Sequence, residues 1–501
     1  MSFGGLLFSE TTLKISVSSL FPLFVDNFLD TLIPTFNLTK TRLGRVRIIM
    51  AHAKDISGES ASTTLSDGIA RPLILKDLLD QQTANDILKR TLSVGTVKST
   101  TTSSADRMNA ARYKMGHQNK LRDIGRGSCG SVFEIPGTPN AIKKGANTEA
   151  IWNDFNLNNH AYNSYLSSYC LLENTFVGRW VPRVPMARYF NGPDADEFWT
   201  ANIERFPEGD QTRAAAFYLD RILPVPQLTR RALIRRFFQD DEQTQHDVLN
   251  NPDNKDCLVR VYLGKNRPNA RPYDSTDTLR NFPLHLDEAK MLELDVDVFA
   301  EEMAMGLATL HWKAGIDAQD TEFVIGTSTS KTFALVYPNH RSAPPPTSTV
   351  DDFTRREVQL WMLDYDKSSI FDLESKSLSF DIVEKYLVAV TGNDPYFPHP
   401  CLDIDLWRRF RDTYLKASDV IIRNRRLKHQ MARLPRILIE KWEQWGNRDV
   451  EADEFDPFER SRDDDEAVTE LEYVHSEEGD SEGDVSDEDD DDEKECAPAG
   501  R

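Results

Sequence analysis

Three closely spaced glycines followed by a lysine restrict this fold more than any other feature of the sequence. Gly125, Gly127 and Gly130 precede an alternating strand pattern and a turn-rich stretch, and Lys143 lies in the extended segment that follows. Glycines at this spacing allow a strand–turn–strand hairpin to approach phosphate groups, because no Cβ intervenes. Val132 would then cover an adenine ring, and Lys143 would contact the phosphates. The pattern predicts a nucleotide-binding hairpin, and a glycine-rich turn that binds nothing is the alternative.

An acidic loop follows a long amphipathic pattern and offers candidate catalytic residues. In one register Asp317 is the general base, and Glu322, five residues later, is a metal ligand. In the other register Asp320 is the base and the rest of the loop is shorter. Carboxylates suit Mg²⁺ because hard cations prefer oxygen ligands. Both registers stay open, beside the alternative of a polar turn between a helix and a strand.

Another carboxylate ends an apolar strand pattern over 358–363. Asp364 stands where phosphoryl-transfer proteins hold the magnesium ion that contacts the nucleotide phosphates, and an ordinary acidic turn is the alternative. In the helical pattern over 152–172, Asp154 is placed to form an ion pair with Lys143, although Glu149 is nearer in sequence. Together the motifs predict ATP and Mg²⁺ as cofactors.

The order of the patterns predicts an α+β fold, with a small sheet-rich lobe before a helix-rich lobe. We expect strands at 186–190, 198–203 and 215–223, one long helix at 286–312, and an inserted loop at 250–273. Low hydrophobicity and many small polar residues predict disorder near both ends. The expected divisions are an N-terminal extension at 1–49, with Met50 as an alternative start, a mostly disordered stretch at 50–115, an N-lobe at 116–222, a C-lobe at 223–450 and an acidic disordered tail at 451–501.

Most of the net charge lies in the C-terminal tail. The formal net charge is -21, and residues 463–495 contain 19 acidic residues against one lysine. The segment 408–441 is strongly basic, but it has few aromatic residues, so contact with the acidic tail is favoured over nucleic acid. Five widely spaced cysteines argue against a zinc ribbon and favour reduced thiols in the cytoplasm or nucleus. Charged residues interrupt the apolar runs, so no membrane span is expected.

In this order the motifs resemble those of protein-kinase-like folds. The sequence over about 120–425 is also similar to a fungal family known as domain of unknown function 3669, some of whose members carry zinc fingers. The resemblance implies a two-lobed kinase-like fold with a nucleotide between the lobes. It rests on Trp152-Asn153-Asp154, Asn281-Phe282-Pro283-Leu284, 311–324, Leu363-Asp364 and the segment 393–400 with the helical pattern after it.

The chain departs from active protein kinases in ways that bear on catalysis. Neither a His-Arg-Asp nor an Ala-Pro-Glu triplet occurs, and the stretch after Asp364 is too short for a peptide-binding platform. The favoured function is therefore nucleotide binding by a regulatory, non-catalytic protein that acts through a protein partner. The alternatives are an ATP-dependent phosphotransferase acting on a small molecule and a nucleic-acid-associated regulator. The substrate and the oligomeric state stay open.

Overall fold

The computed structural model of the chain describes residues 83–99, 108, 110–111, 120–268, 270–329, 353, 355–375 and 381–451. The predictions for the N-terminal extension, for Met50, for most of the 50–115 stretch and for the acidic tail lie outside these residues. Within the described residues the chain forms two five-stranded sheets and ten α-helices, which confirms the predicted α+β class. No helix in this part of the chain is long and apolar enough to cross a membrane.

The elements are numbered in chain order. The strands are β1 Val97–Ser99, β2 Arg122–Arg126, β3 Ser131–Glu134, β4 Asn140–Gly145, β5 Ala187–Asn191, β6 Ala215–Asp220, β7 Val259–Tyr262, β8 Phe282–His285, β9 Glu322–Thr329 and β10 Arg355–Leu363. The helices are α1 Ala84–Leu92, α2 Thr148–Thr175, α3 Asp196–Asn202, α4 Gln227–Phe237, α5 Glu242–Asn250, α6 Leu286–Met291, α7 Val296–Ala308, α8 Asp381–Thr391, α9 Ile404–Arg425 and α10 Leu434–Glu451.

The first sheet is antiparallel, with the order β2-β3-β4-β6-β5. Its side chains alternate between two faces, as the two-residue repeat of a strand requires. On one face Ile142 and Tyr218 pack with aromatic residues of α3. On the other face Phe217 packs against Phe155 of α2, with ring centroids 5.5 Å apart. Lys143 is paired in register with Phe217, so its side chain lies on the α2 side of the sheet.

The second sheet has the order β1-β10-β9-β7-β8, and its one parallel pair is β7–β8. Along β10, Val358, Leu360 and Met362 are buried in the largest core cluster, as the alternation of a half-buried strand requires. Met303 of α7 belongs to the same cluster. Asp364 comes directly after this strand, so the packing of β10 positions its backbone.

The strand expected at 198–203 is wrong, because most of this segment forms α3. Phe198 and Trp199 are consecutive aromatic residues, which favour strands in isolation. In the fold both rings are buried beside Phe206 and Tyr218, and the indole N–H of Trp199 donates to the carbonyl oxygen of Gly192 at 2.8 Å. Tertiary packing therefore overrides the local preference.

Two further expectations about the second half are corrected. The long helix expected at 286–312 is divided into α6, α7 and a π-helical turn, Thr309–Ala314. The division occurs where Glu293 has a left-handed φ of 52° and Asp295 caps α7 by accepting the N–H of Val298 at 3.3 Å. The loop expected at 250–273 contains β7, whose short apolar pattern is hidden among Asn, Asp and Pro residues.

A buried ion cluster ties the first sheet to the segment that follows α5. The guanidinium of Arg221 lies 3.3 Å from the carboxylate of Glu134 on β3 and 3.1 Å from that of Asp256. Arg122 of β2 contacts the same two carboxylates. The four residues of this cluster lie on four different segments, so the ion pairs fix the position of the first sheet against the segment after α5. Removing one cation would leave buried carboxylates short of a partner, which is costly.

We expect Arg221→Met to lower the free energy of unfolding by about 3 kcal/mol, because it removes a buried cation from two buried carboxylates. Arg213→Met is the matched control, since its ion pair with Asp196 is exposed and its loss should cost at most about 0.5 kcal/mol. Denaturant unfolding of both variants measures the difference. Equal losses in the two variants would contradict a structural role for the buried cluster.

Candidate functional site

A cleft with a volume of about 220 Å³ lies between the glycine hairpin, formed by β2 and β3, and residues of the second sheet. The structure brings together eight of the residues predicted from sequence, although they come from distant parts of the chain. Asp317 and Asp320 do not line this cleft. The predicted residues that do are Gly125, Gly127, Gly130, Val132, Lys143, Asp154, Glu322 and Asp364.

Lys143 is the central charge of the cleft. Its Nζ lies 2.8 Å from Oδ2 of Asp154 on α2 and 3.1 Å from Oδ1 of Asp364 after β10. Burial lowers the pKa of Lys143, but the two carboxylates outweigh burial and hold that pKa above its ordinary value. The side chain is only 11% exposed and stays protonated. Because an ammonium group has three donors, one donor remains for a ligand in the cleft.

The three glycines have different structural roles. Gly127 and Gly130 exchange backbone hydrogen bonds of 2.9 and 3.3 Å and close a two-residue turn. A Cβ on Gly130 would overlap the carbonyl oxygen of Lys144, so close packing of β3 on β4 requires glycine there. A Cβ on Gly125 would meet no atom within 4 Å. The fold therefore does not require glycine at Gly125, and the open space beside it faces the cleft.

The tip of the hairpin lies near Asp366, a carboxylate that the sequence analysis did not single out. Burial raises the pKa of the Cys129 thiol to about 12; Lys143 opposes this shift, and Asp366 and Asp154 add to it. One carboxylate oxygen of Asp366, Oδ1, is buried without a hydrogen-bond partner among the described residues. A sequence signal for Asp366 existed, since it lies two positions after Asp364.

Asp364 lines the cleft and is a candidate to hold a cation, with Asp366 close to it but outside the cleft lining. Asp364 has a left-handed φ of 64°, an uncommon conformation for a residue other than glycine. Burial raises the pKa of Asp366, and the negative charge of Asp364 raises it further. A divalent cation would relieve this repulsion and would satisfy the orphaned Oδ1 of Asp366, so the pair fits Mg²⁺. The described residues contain no group of three or more His, Cys, Asp and Glu side chains already arranged around a metal position.

Glu322 has a partner other than a metal. Its carboxylate forms a close ion pair with Arg260 of β7, which also lies 3.2 Å from Asp394. Burial raises the pKa of Glu322 to about 7; Arg260 lowers it, and Asp364, Asp394 and Asp320 raise it. Sequence reasoning missed Arg260, because it lies in the segment that was expected to be a loop.

The two candidate bases lie outside the cleft wall. Asp317 is 4% exposed, and its Oδ1 accepts the backbone N–H groups of Gln319 at 3.2 Å and Ser369 at 3.0 Å. Its carboxylate therefore holds two loops together. Asp320 has a side chain 41% exposed and forms an ion pair with Lys367 at 3.2 Å. It is the more accessible of the two carboxylates.

A buried histidine supports the loop that carries Asp317. His311 stacks on Tyr386 with ring centroids 4.1 Å apart, and its Nδ1 lies 2.9 Å from the hydroxyl of Tyr414. Its Nε2 lies 3.3 Å from the carbonyl oxygen of Asp317. Burial lowers the pKa of His311 to about 3, so the ring is neutral near pH 7. This network makes the 311–317 segment part of the core.

Six of the eleven basic residues in 408–441 form ion pairs with acidic residues of the described part of the chain. They lie on α9 and α10 and include Arg409, which is 2.8 Å from Asp297, and Arg425, which is 3.1 Å from Glu374. Much of the basic charge is therefore already neutralised within the fold.

Part of the chain is similar to a known protein family. Residues 360–426 match the model of the family known as domain of unknown function 3669, described as zinc finger protein. The resemblance stated over about 120–425 is thus supported over 360–426. This segment contains one cysteine, Cys401, and one histidine, His399, which are too few for a zinc finger. No curated protein matches the chain.

We expect Gly130→Ala to lower the free energy of unfolding by about 1–3 kcal/mol, because its Cβ would press on the backbone of β4. Gly125→Ala is the matched control and should leave stability nearly unchanged, since its Cβ enters open space. Thermal unfolding of both variants measures the contrast. A larger loss of stability in Gly125→Ala than in Gly130→Ala would contradict the roles assigned to the two glycines.

We expect Lys143→Met to lower the free energy of unfolding by about 3–5 kcal/mol, because it strips the cation from two carboxylates in a buried site. Lys144→Met is the control at the next position. Its ammonium donates to the carbonyl oxygen of Asp210 at 2.9 Å and to the hydroxyl of Thr212, so its loss should cost about 1 kcal/mol. The account of the ion pairs fails if both lysine variants unfold at the same denaturant concentration.

Proposed function

We propose that the chain binds a nucleoside triphosphate with Mg²⁺ in this cleft, through a two-lobed protein-kinase-like fold, and acts as a regulatory protein without phosphoryl transfer. The observation that carries the proposal is the ion pair of Lys143 with Asp154 and Asp364 under a glycine hairpin. Protein kinases use a strand lysine, a helix carboxylate and an aspartate after a strand for the same three positions. Asp154 supplies the helix carboxylate in place of glutamate.

The chemistry of the cleft suits a polyphosphate bound with a cation. Lys143 keeps one ammonium donor, and the open space beside Gly125 leaves room for phosphate oxygens. Asp364 would repel a bare polyphosphate, and Mg²⁺ held by Asp364, with Asp366 nearby, would supply the positive charge that offsets this repulsion. Val132, Ala141, Phe217, Leu219 and Leu258 give the cleft an apolar wall for a purine ring.

Two features favour binding without catalysis. A general base must reach the acceptor hydroxyl within about 2.6–3.2 Å. The carboxylate of Asp317 is buried and already accepts two backbone N–H groups. Glu322, the second predicted metal ligand, is neutralised by Arg260. The bound nucleotide would then set the conformation of the chain, and a protein partner would recognise that conformation.

A phosphotransferase acting on a small molecule is the second candidate. Asp320 favours it, because its carboxylate is accessible and near enough to Glu322 and Asp366 to raise the pKa of each. Nucleic-acid binding has less support, since six of the eleven basic residues of 408–441 are ion-paired. The cysteines of the described residues form no disulfide, which fits a cytoplasmic or nuclear location.

We expect ATP with Mg²⁺ to raise the melting temperature of the full chain, because a ligand that binds only the native state stabilises it. At a ligand concentration 100 times Kd the gain is about 2.7 kcal/mol. The ligand-induced shift should be smaller in Lys143→Met than in Lys144→Met, each compared with its own unliganded protein. Unchanged melting curves with ATP, ADP and GTP, with and without Mg²⁺, would reject nucleotide binding.

We expect no transfer of labelled γ-phosphate from ATP to water or to small-molecule acceptors, because neither predicted base lines the cleft. Asp317→Asn should destabilise the fold through its loop contacts and leave ATP affinity unchanged. The regulatory proposal is wrong if the parent protein turns over ATP with Mg²⁺ and Asp317→Asn or Asp320→Asn abolishes turnover in a folded protein. In that case the function supported is that of a phosphotransferase.

A further inference from the structure

A second cavity, with a volume of about 100 Å³, lies apart from the nucleotide cleft, and the two share no lining residue. Its walls come from α2, from the segment after α2, from α7 and from β10. The turn after α1 closes one side at Val94 and Gly95. The side chains that matter chemically are Tyr165, Tyr169, Trp180, Arg183, Glu302 and Glu357.

Two carboxylates of this cavity have no ion-pair partner among the described residues. Glu302 is 1% exposed, and its Oε1 accepts the backbone N–H of Trp180 at 3.3 Å. Its sequence neighbour, Glu301, instead forms an ion pair with Arg179. Glu357 on β10 is the second carboxylate. A buried carboxylate without a cation is costly to keep, and such groups mark functional sites.

Aromatic groups complete the lining. The rings of Tyr165 and Tyr169 meet edge to face with centroids 5.8 Å apart. The hydroxyl of Tyr165 is buried, and the guanidinium of Arg183 lies near it. Trp180 also lines the cavity and is 39% exposed. Aromatic faces attract cations, and ammonium groups are recognised by several rings together with a carboxylate.

The one cation in the lining is already engaged. The guanidinium of Arg183 stacks on the ring of Trp361 at 5.0 Å. It also donates to Gln359 at 2.5 Å and to the hydroxyl of Ser328 at 3.0 Å. These contacts hold the guanidinium of Arg183 against β10 but involve only neutral partners, so Arg183 keeps its charge, and the two glutamates are the groups of the lining that attract a cation.

We propose that this cavity binds a small alkylammonium group, with Glu302 as its counter-ion and Tyr165, Tyr169 and Trp180 as its aromatic wall. The group is either a free amine or the side chain of a lysine on another protein. The small volume admits the end of such a chain and excludes a nucleotide. This site does not depend on the proposed nucleotide function, because the two sets of residues are separate.

The ionisation of Glu302 adds a pH dependence to the site. Burial raises the pKa of Glu302 to about 8, with the N–H of Trp180 opposing the shift. A bound cation favours the ionised carboxylate, so binding releases a proton below that pKa, and affinity rises with pH. The ionised fraction grows from about a tenth at pH 7 to about nine tenths at pH 9, which gives about a tenfold gain in affinity. The charged groups facing Glu302 are Arg179, Arg183, Asp295, Glu301 and Glu357.

Titration calorimetry of the full chain with tetramethylammonium, butylammonium, n-butanol and acetate tests the proposal. We expect both cations to bind at one saturable site, and we expect the neutral and anionic probes not to bind. Tetramethylammonium carries a permanent charge, so its affinity should rise about tenfold from pH 7 to pH 9 through Glu302 alone. A further titration compares butylammonium with a lysine-containing peptide. The tighter binder of the two indicates whether the natural ligand is a free amine or a lysine side chain.

At pH 9, where Glu302 is mostly ionised, Glu302→Gln should weaken both cations at least tenfold, whereas Glu301→Gln, which alters a neighbouring carboxylate outside the cavity lining, should change their affinity much less. Thermal melting confirms that both variants are folded. The proposal is overturned if n-butanol or acetate binds as well as the cations, if Glu301→Gln weakens binding as much as Glu302→Gln, or if affinity in the parent protein does not change with pH. The last measurement needs no variant, so it holds even if Glu302→Gln does not fold.

Discussion

The ion pair of Lys143 with two carboxylates is the interaction on which the rest of the site depends. It joins β4, α2 and the residue after β10, which are far apart in sequence. Without the ammonium group, Asp154 and Asp364 would face each other in a buried site with no cation between them. The left-handed backbone of Asp364 is tolerated because the core strand β10 and this ion pair hold it. The ion pair therefore joins three of the segments that line the cleft.

The fold engages two of the carboxylates predicted for catalysis and metal binding in structural contacts. Asp317 holds two loops together, above a core that contains the neutral His311. Glu322 is neutralised by Arg260. Lys143 and Asp364 remain beside the cleft, where a ligand can reach them. Two of the predicted catalytic and metal-binding carboxylates are therefore engaged in structural contacts, while Asp320 stays accessible.

The sequence predicts those parts of the site that depend on local backbone chemistry. The glycine spacing, the strand position of Lys143 and the apolar strand before Asp364 are short-range patterns, so their placement could be stated in advance. The roles of Asp317 and Glu322 depend on Ser369 and Arg260, which are distant in sequence. Arg260 was missed because a four-residue strand lies within a polar segment, and α3 was mistaken for a strand because its two consecutive aromatic residues favour strands in isolation. Glu302 could not be singled out from the sequence, because its burial without an ion-pair partner depends on how the chain folds.

Amide hydrogen exchange of the full chain, with and without ATP and Mg²⁺, tests the central claim most directly. A nucleotide held by Lys143 should slow exchange in the hairpin at 124–132 and in β4, where backbone N–H groups lie nearest the cleft. Exchange around the second cavity, at 165–183, should not change. Slowed exchange at the hairpin and β4 alone is the predicted result. Protection that appears elsewhere while 124–132 exchanges at its original rate would contradict the account, because the nucleotide would then bind outside this cleft.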